Sequence, residues 1–232
     1  MTYSNPLIRL MTVGAALALL MLTPGGNAAG ETKRSETDAL QASAHHHRIS
    51  SLVTRFIEKS HYTLPPVDDA LSAQILDTYI EALDSNKLYF LDSDIRRFER
   101  YRNRIDNMVV GASLEPVFDI FRTYQTRAEE RWRYARTLLE QEPDFSVDES
   151  FRFDREDVSW AADKAELDEI WRKRVKNDAL NLLLTDTEWD DTQEKLQKRY
   201  KRFTKQIDQV NSDDVFEIFM NAFARTLDPH SS

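Results

Sequence analysis

The sequence predicts an all-α protein, on three observations. Only 5 glycines and 7 prolines occur in 232 residues, while charged side chains make up 31%. That mixture, rich in Glu, Lys, Arg, Leu and Ala, favours helices because these side chains lose little rotamer freedom there. Apolar residues then recur at helical spacing in one segment after another, interrupted by capping and turn residues. The architecture expected is a multi-helix domain with long helical hairpins and one irregular segment near 143–162.

The folded part is expected from about residue 45. Ile49, Leu52, Val53, Phe56 and Ile57 share one face of a first helix, which Pro65-Pro66 ends because proline cannot donate a helix hydrogen bond. Asp68 or Asp69 can cap the next helix, with its stripe of Leu71, Ile75, Leu76, Tyr79, Ile80 and Leu83. Asp84-Ser85-Asn86 reads as a turn. After the apolar run Leu88–Leu91, Asp92 or Ser93 can cap a helix carrying Ile95, Phe98 and Ile105, closed at Gly111.

A long helix starts at Ser113 and runs to about Glu142 through Val117, Ile120, Phe121, Tyr124, Ala128, Trp132, Ala135, Leu138 and Leu139. In the irregular segment, Phe151-Arg152-Phe153 alternates as a short extended piece does. Helices resume over roughly 163–184, 188–210 and 213–226, with Asp163, Thr187 and Ser212 as expected caps.

The composition excludes several function classes. With no cysteine, disulfides, Cys-ligated zinc, iron–sulfur clusters and thiol nucleophiles are ruled out. No P-loop, dinucleotide fingerprint or Gly-x-Ser-x-Gly elbow occurs, and no cofactor is expected. Residues 1–28 read as a secretory signal: Arg9, then the apolar Leu10–Leu22, then the small-residue site Gly26-Asn27-Ala28. The apolar run is too short for a comfortable bilayer span. Residues 29–44 form a polar lead-in, and the helical domain occupies 45–232. Removing residues 1–28 takes away Arg9 and no acid, so the net charge of −9 becomes −10. Such a balance repels phosphate backbones, so no nucleic-acid partner is expected.

The candidate chemistry is thin. His45-His46-His47 point about 100° apart on a helix and do not converge on one metal, so an exposed helix start is expected. His61 and His230 are isolated. The acidic pairs Asp68-Asp69, Asp190-Asp191 and Asp213-Asp214 stand at helix starts, where negative charge favours the N-terminal dipole. Lys195, Lys198, Arg199, Lys201, Arg202 and Lys205 alternate with Leu196, Tyr200, Phe203 and Ile207. This reads as a solvated face over a buried one, and a binding surface there is open but not demanded. Ser231 and Ser232 have no partner groups after them to build a catalytic site.

The last helical stretch, NSDDVFEIFMNAFARTLDPHSS at 211–232, resembles the end of the N-terminal domain of bacterial tail-specific proteases, the periplasmic carboxyl-terminal processing serine proteases. SLVTRFIEKSHY at 51–62, DALSAQILD at 69–77, KLYFLDSD at 87–94 and ELDEIWRKRVK at 166–176 are similar to earlier segments of that domain, in the same order. The resemblance implies a helical region preceding a PDZ domain and a Ser/Lys catalytic region. Asp228-Pro229-His230-Ser231 resembles the junction into them. No residue of the dyad or the PDZ pocket carries over onto this sequence. The implied role is therefore non-catalytic: scaffolding the protease, shaping substrate access, or docking an adaptor or substrate protein, in the periplasm. A stand-alone helical adaptor or peptide-binding module is the alternative. If further domains pack on the last helix, Phe216, Phe219, Phe223 and Leu227 are the candidate packing residues, and an exposed apolar surface is expected there.

Overall fold

The computed structural model describes residues 40–59, 68–105 and 113–227. The expected signal segment, most of the lead-in, Pro65-Pro66, His61, Gly111 and the run from Asp228 to Ser232 lie outside these residues. Seven α-helices are described: α1 (Ala44–Lys59), α2 (Asp69–Asp84), α3 (Asp92–Phe98), α4 (Glu115–Leu138), α5 (Lys164–Leu183), α6 (Trp189–Asp208) and α7 (Ser212–Leu227). There is no strand among the described residues. One isolated parallel bridge joins Leu91 to Ala161, where the Asp92 N–H donates to the Ala161 carbonyl at 2.9 Å.

α4 is the central element, about 36 Å long at 1.5 Å per residue. α5 and α6 form a hairpin that packs against it, while α2 and α7 pack on each other and also reach α4. Its apolar positions Val117, Phe118, Ile120, Phe121, Tyr124, Ala128, Trp132 and Ala135 are buried. They spread over a wide arc, so the helix can serve both groups at once.

Several caps follow the sequence reading. Asp68 accepts the Leu71 N–H at 3.0 Å and Asp163 accepts the Glu166 N–H at 3.0 Å, satisfying donors that the first helical turn leaves without partners. Others do not. At α7 the cap is Asn211, whose Oδ1 accepts from the Asp213 and Asp214 N–H groups, while Asp214 accepts the Asn211 N–H in return. At α6 the flanking residue is Glu188 rather than Thr187. Before α3, Asp94 accepts the Leu91 N–H, so the carboxylate works from inside the helix.

The α3 helix is also shorter than its pattern predicted. It gives way to a 3₁₀ turn at Glu99–Tyr101, where Arg102 is drawn onto Glu99 and Asp77. Phe151-Arg152-Phe153 is not a strand; its two rings meet edge to face at 5.1 Å instead. In α1, Leu52 points outward with 65% exposure, leaving Ile49 and Val53 to meet the core.

Candidate interaction site

The residues proposed for domain packing lie on α7, and the structure uses three of them internally. Phe216, Phe219 and Phe223 are buried, and Leu227 is half-buried. Phe219 meets Tyr79 of α2 edge to face at 5.5 Å, and the Tyr79 hydroxyl donates to the Val117 carbonyl of α4 at 3.2 Å. Burial pushes the Tyr79 phenol far above its ordinary value. The exposed apolar surface expected at these three positions is therefore absent. The reason is geometric: α7 presents them to α2 and α4, neighbours that its own stripe did not reveal.

Phe216 has a further cover. His46 of α1 stacks on it with ring centroids 4.6 Å apart and planes 17° apart. The Ser43 N–H donates to His46 Nδ1 at 3.1 Å, which leaves the proton on Nε2 to be donated to Asp213 at 2.7 Å. His46 is 1% exposed, which corrects the reading of the three histidines as an exposed helix start. Of its neighbours, His45 is exposed and His47 is half-buried. Two more bonds hold the chain ahead of α1: Arg122 donates to the Leu40 carbonyl, and the Gln41 N–H donates to Ser212. Among the described residues, no three His, Asp or Glu side chains are placed to share a metal ion.

The Asp84-Ser85-Asn86 turn holds a group that sequence reasoning passed over. Asp84, at the end of α2, is 3% exposed and accepts the N–H groups of Leu88, Tyr89 and Phe90 at 2.7, 2.9 and 2.9 Å. Burial pushes its carboxyl upward, against the pull of those three bonds. Lys87 adopts a left-handed backbone, φ 51°, to turn the chain back over the carboxylate. Its ammonium donates to the carbonyls of Glu156 and Val158 and so pins the irregular segment. Trp171 of α5 donates to the Leu88 carbonyl at 2.6 Å.

A second missed feature is a shallow cleft of about 420 Å³ between the end of α4, the following loop and α5. Leu138, Pro143, Val147 and Val175 give it apolar walls. Arg172 and Lys176, one turn apart on α5, converge there on Glu149 and hold its carboxyl down to about 2. Lys176 also donates to the Val147 carbonyl at 3.0 Å. Both cations thus hold the loop, Arg172 while also paired with Glu169 of its own helix, and the cleft is an anchor for it. The only sequence signal was the four-residue spacing of the two bases.

On α6, Leu196, Tyr200 and Ile207 are buried, Phe203 is half-buried, and Lys195, Lys198, Lys201, Arg202 and Lys205 face solvent. The solvated-face reading holds here. Ser231, Ser232 and His230 lie outside the described residues. Among the described residues no helix is long and apolar enough to cross a membrane.

Comparison with known proteins finds similarity over most of the chain. The family model of the tail specific protease N-terminal domain matches residues 53–232. A tail-specific protease of Haemophilus influenzae is 38% identical over 180 residues, which is 77% of this chain and 26% of that protein. The chain thus spans about a quarter of the length of that relative. With the family model covering more than half of the sequence, the chain belongs to the tail-specific protease N-terminal domain family.

Proposed function

We propose that this chain acts as the non-catalytic helical N-terminal domain of an exported tail-specific serine protease, scaffolding the enzyme and presenting surfaces to protein partners. The observation that carries this reading is the collinear match over residues 53–232 to a domain that makes up about a quarter of the related protease. The candidate site agrees in character: it offers buried rings, anchored loops and charged faces, which are the materials of a scaffold. Leu227, half-buried at the end of α7, is then the residue best placed to meet whatever packs beyond that helix. The other three packing candidates support the domain from within.

Export rests on Arg9, the apolar Leu10–Leu22 and the small residues at 26–28. In this reading the mature protein begins after Ala28 and works in the periplasm. N-terminal sequencing of the protein recovered from cells would give Ala29 as first residue, and an intact Met1 would overturn export by cleavage.

The scaffold reading is tested with a C-terminally tagged test protein. The purified chain alone is expected to leave the tag intact. Added to a PDZ-plus-catalytic segment translated from the DNA beyond the Ser232 codon, it is expected to raise cleavage. Turnover by the chain alone, abolished by a point substitution within it, would sink the proposal. The burial of Phe216, Phe219 and Phe223 within the domain favours a second reading, a self-sufficient helical binding module. A stop codon directly after Ser232 would support that reading.

A further inference from the structure

The cations of this protein are distributed unevenly, and α6 carries a dense row of them with few carboxylate partners. Elsewhere several arginines are tied to two carboxylates each: Arg102 to Asp77 and Glu99, Arg127 to Asp94 and Glu130, Arg172 to Glu149 and Glu169. From 195 to 205, α6 carries six basic residues and no acid. Among the described residues only Lys198 of these six makes an ion pair, with Glu194.

At 100° per residue, Lys195, Lys198, Lys201, Arg202 and Lys205 fall within about 120° of one another, opposite the buried Leu196, Tyr200 and Ile207. The row is about 15 Å long at 1.5 Å per residue. Arg136 of α4 joins it through a 3.1 Å bond to Gln197. Keeping so many like charges together opposes folding slightly, by mutual repulsion along the helix. In a chain of net charge −9, a row of this kind stands out as a local positive field.

We propose that this outward face of α6 is a docking surface for an acidic patch on another protein. Three observations select a protein over other polyanions. No large exposed hydrophobic side chain lies on α6, so nothing there would insert into a bilayer. The aromatic rings of α6 turn away from this face: Phe203 packs on Trp132 and Tyr200, so the row offers no ring on which a base could stack. An extended membrane or nucleic acid would also meet the acidic remainder of the chain, whereas a patch of helix length senses only charges within about 8 Å, the screening length at physiological salt. Flexible lysine stems suit carboxylates spaced along such a patch, since an ammonium bonds as a point charge without a fixed fork. The inference rests on charge placement alone and stands independently of the protease reading.

The test uses the intact chain with poly-L-glutamate as the acidic polypeptide. Phosphatidylglycerol vesicles and duplex DNA are run beside it, at about 50 and about 150 mM salt. A variant carrying Lys195→Gln, Lys201→Gln and Lys205→Gln removes three row charges. A control with Arg96→Gln, Lys164→Gln and Lys173→Gln removes three charges already paired elsewhere. Circular dichroism confirms that both retain their helices. Poly-L-glutamate binding is expected to weaken with salt and to fall by about tenfold or more in the row variant alone. Equal weakening in both variants, no binding by the parent chain at low salt, or tighter binding to vesicles or DNA would each overturn the proposal.

Discussion

Phe219 and Leu227 sit eight residues apart on α7 and have different consequences. Phe219 is fully buried against Tyr79, so Phe219→Ala leaves a cavity and should cost about 3–5 kcal/mol. Leu227 is half-buried at the helix end, and Leu227→Ala should shift the isolated chain by less than about 1 kcal/mol. Urea unfolding of the two variants checks both, and a large loss at Leu227 would make it a core residue. Glu149 tests charge in the same way. Arg172, then Lys176, hold its carboxyl at about 2 when folded, below the value of about 4.3 for an unconstrained glutamate. A depressed folded value gives stability that is present above about 4.3 and is lost as pH falls through about 2. Glu149→Gln should therefore lower the urea midpoint at pH 7, with the gap from the parent closing towards pH 2. A gap that stays constant with pH would show that the contact does not act through charge.

Among elements, α1 is fastened at its first turn by His46. Replacing His46 with alanine removes the ring from Phe216 and leaves Asp213 and the Ser43 N–H without their partner. Amide exchange in residues 44–50 should accelerate about tenfold or more, while α5 and α6 keep their rates. Uniform acceleration across the chain would place His46 in the global core instead. The periods of α2, α4, α5 and α6 were legible in the sequence, because a buried stripe repeats with the helix turn, and so were the caps Asp68 and Asp163. The inward turn of His46 was not, since three identical neighbours carry no local sign of which one meets a partner 167 residues away. Asp84 was equally opaque. Its sequence spells a turn, and only the return of Leu88–Phe90 over it makes the carboxylate structural. The stripe of Phe216, Phe219 and Phe223 was visible as a stripe, but a helix face alone does not say which surface covers it.

At the scale of the whole molecule, α4 belongs both to the group with α2 and α7 and to the group with α5 and α6. Neither group can lose its packing without uncovering the same helix, so the two should unfold together. Three of the four tryptophans, Trp132, Trp171 and Trp189, report the second group by fluorescence, and far-ultraviolet circular dichroism reports all helices. Their denaturation curves should coincide, as two-state behaviour requires. A tryptophan transition completed before half the helix signal is lost would divide the molecule into two units.

The irregular stretch after α4 is fastened at separate points: Glu149 to α5, Glu156 and Val158 to Lys87, and Ala161 to Leu91. Between the first two fasteners lie Arg152 and the outward-facing Phe153, with no helix to interrupt. Closing a flexible loop costs only about 0.6 kcal/mol for each doubling of its length. Added residues there would leave every fastener in register, so the gap can lengthen across related chains, or receive an affinity tag, without altering the bundle beneath it.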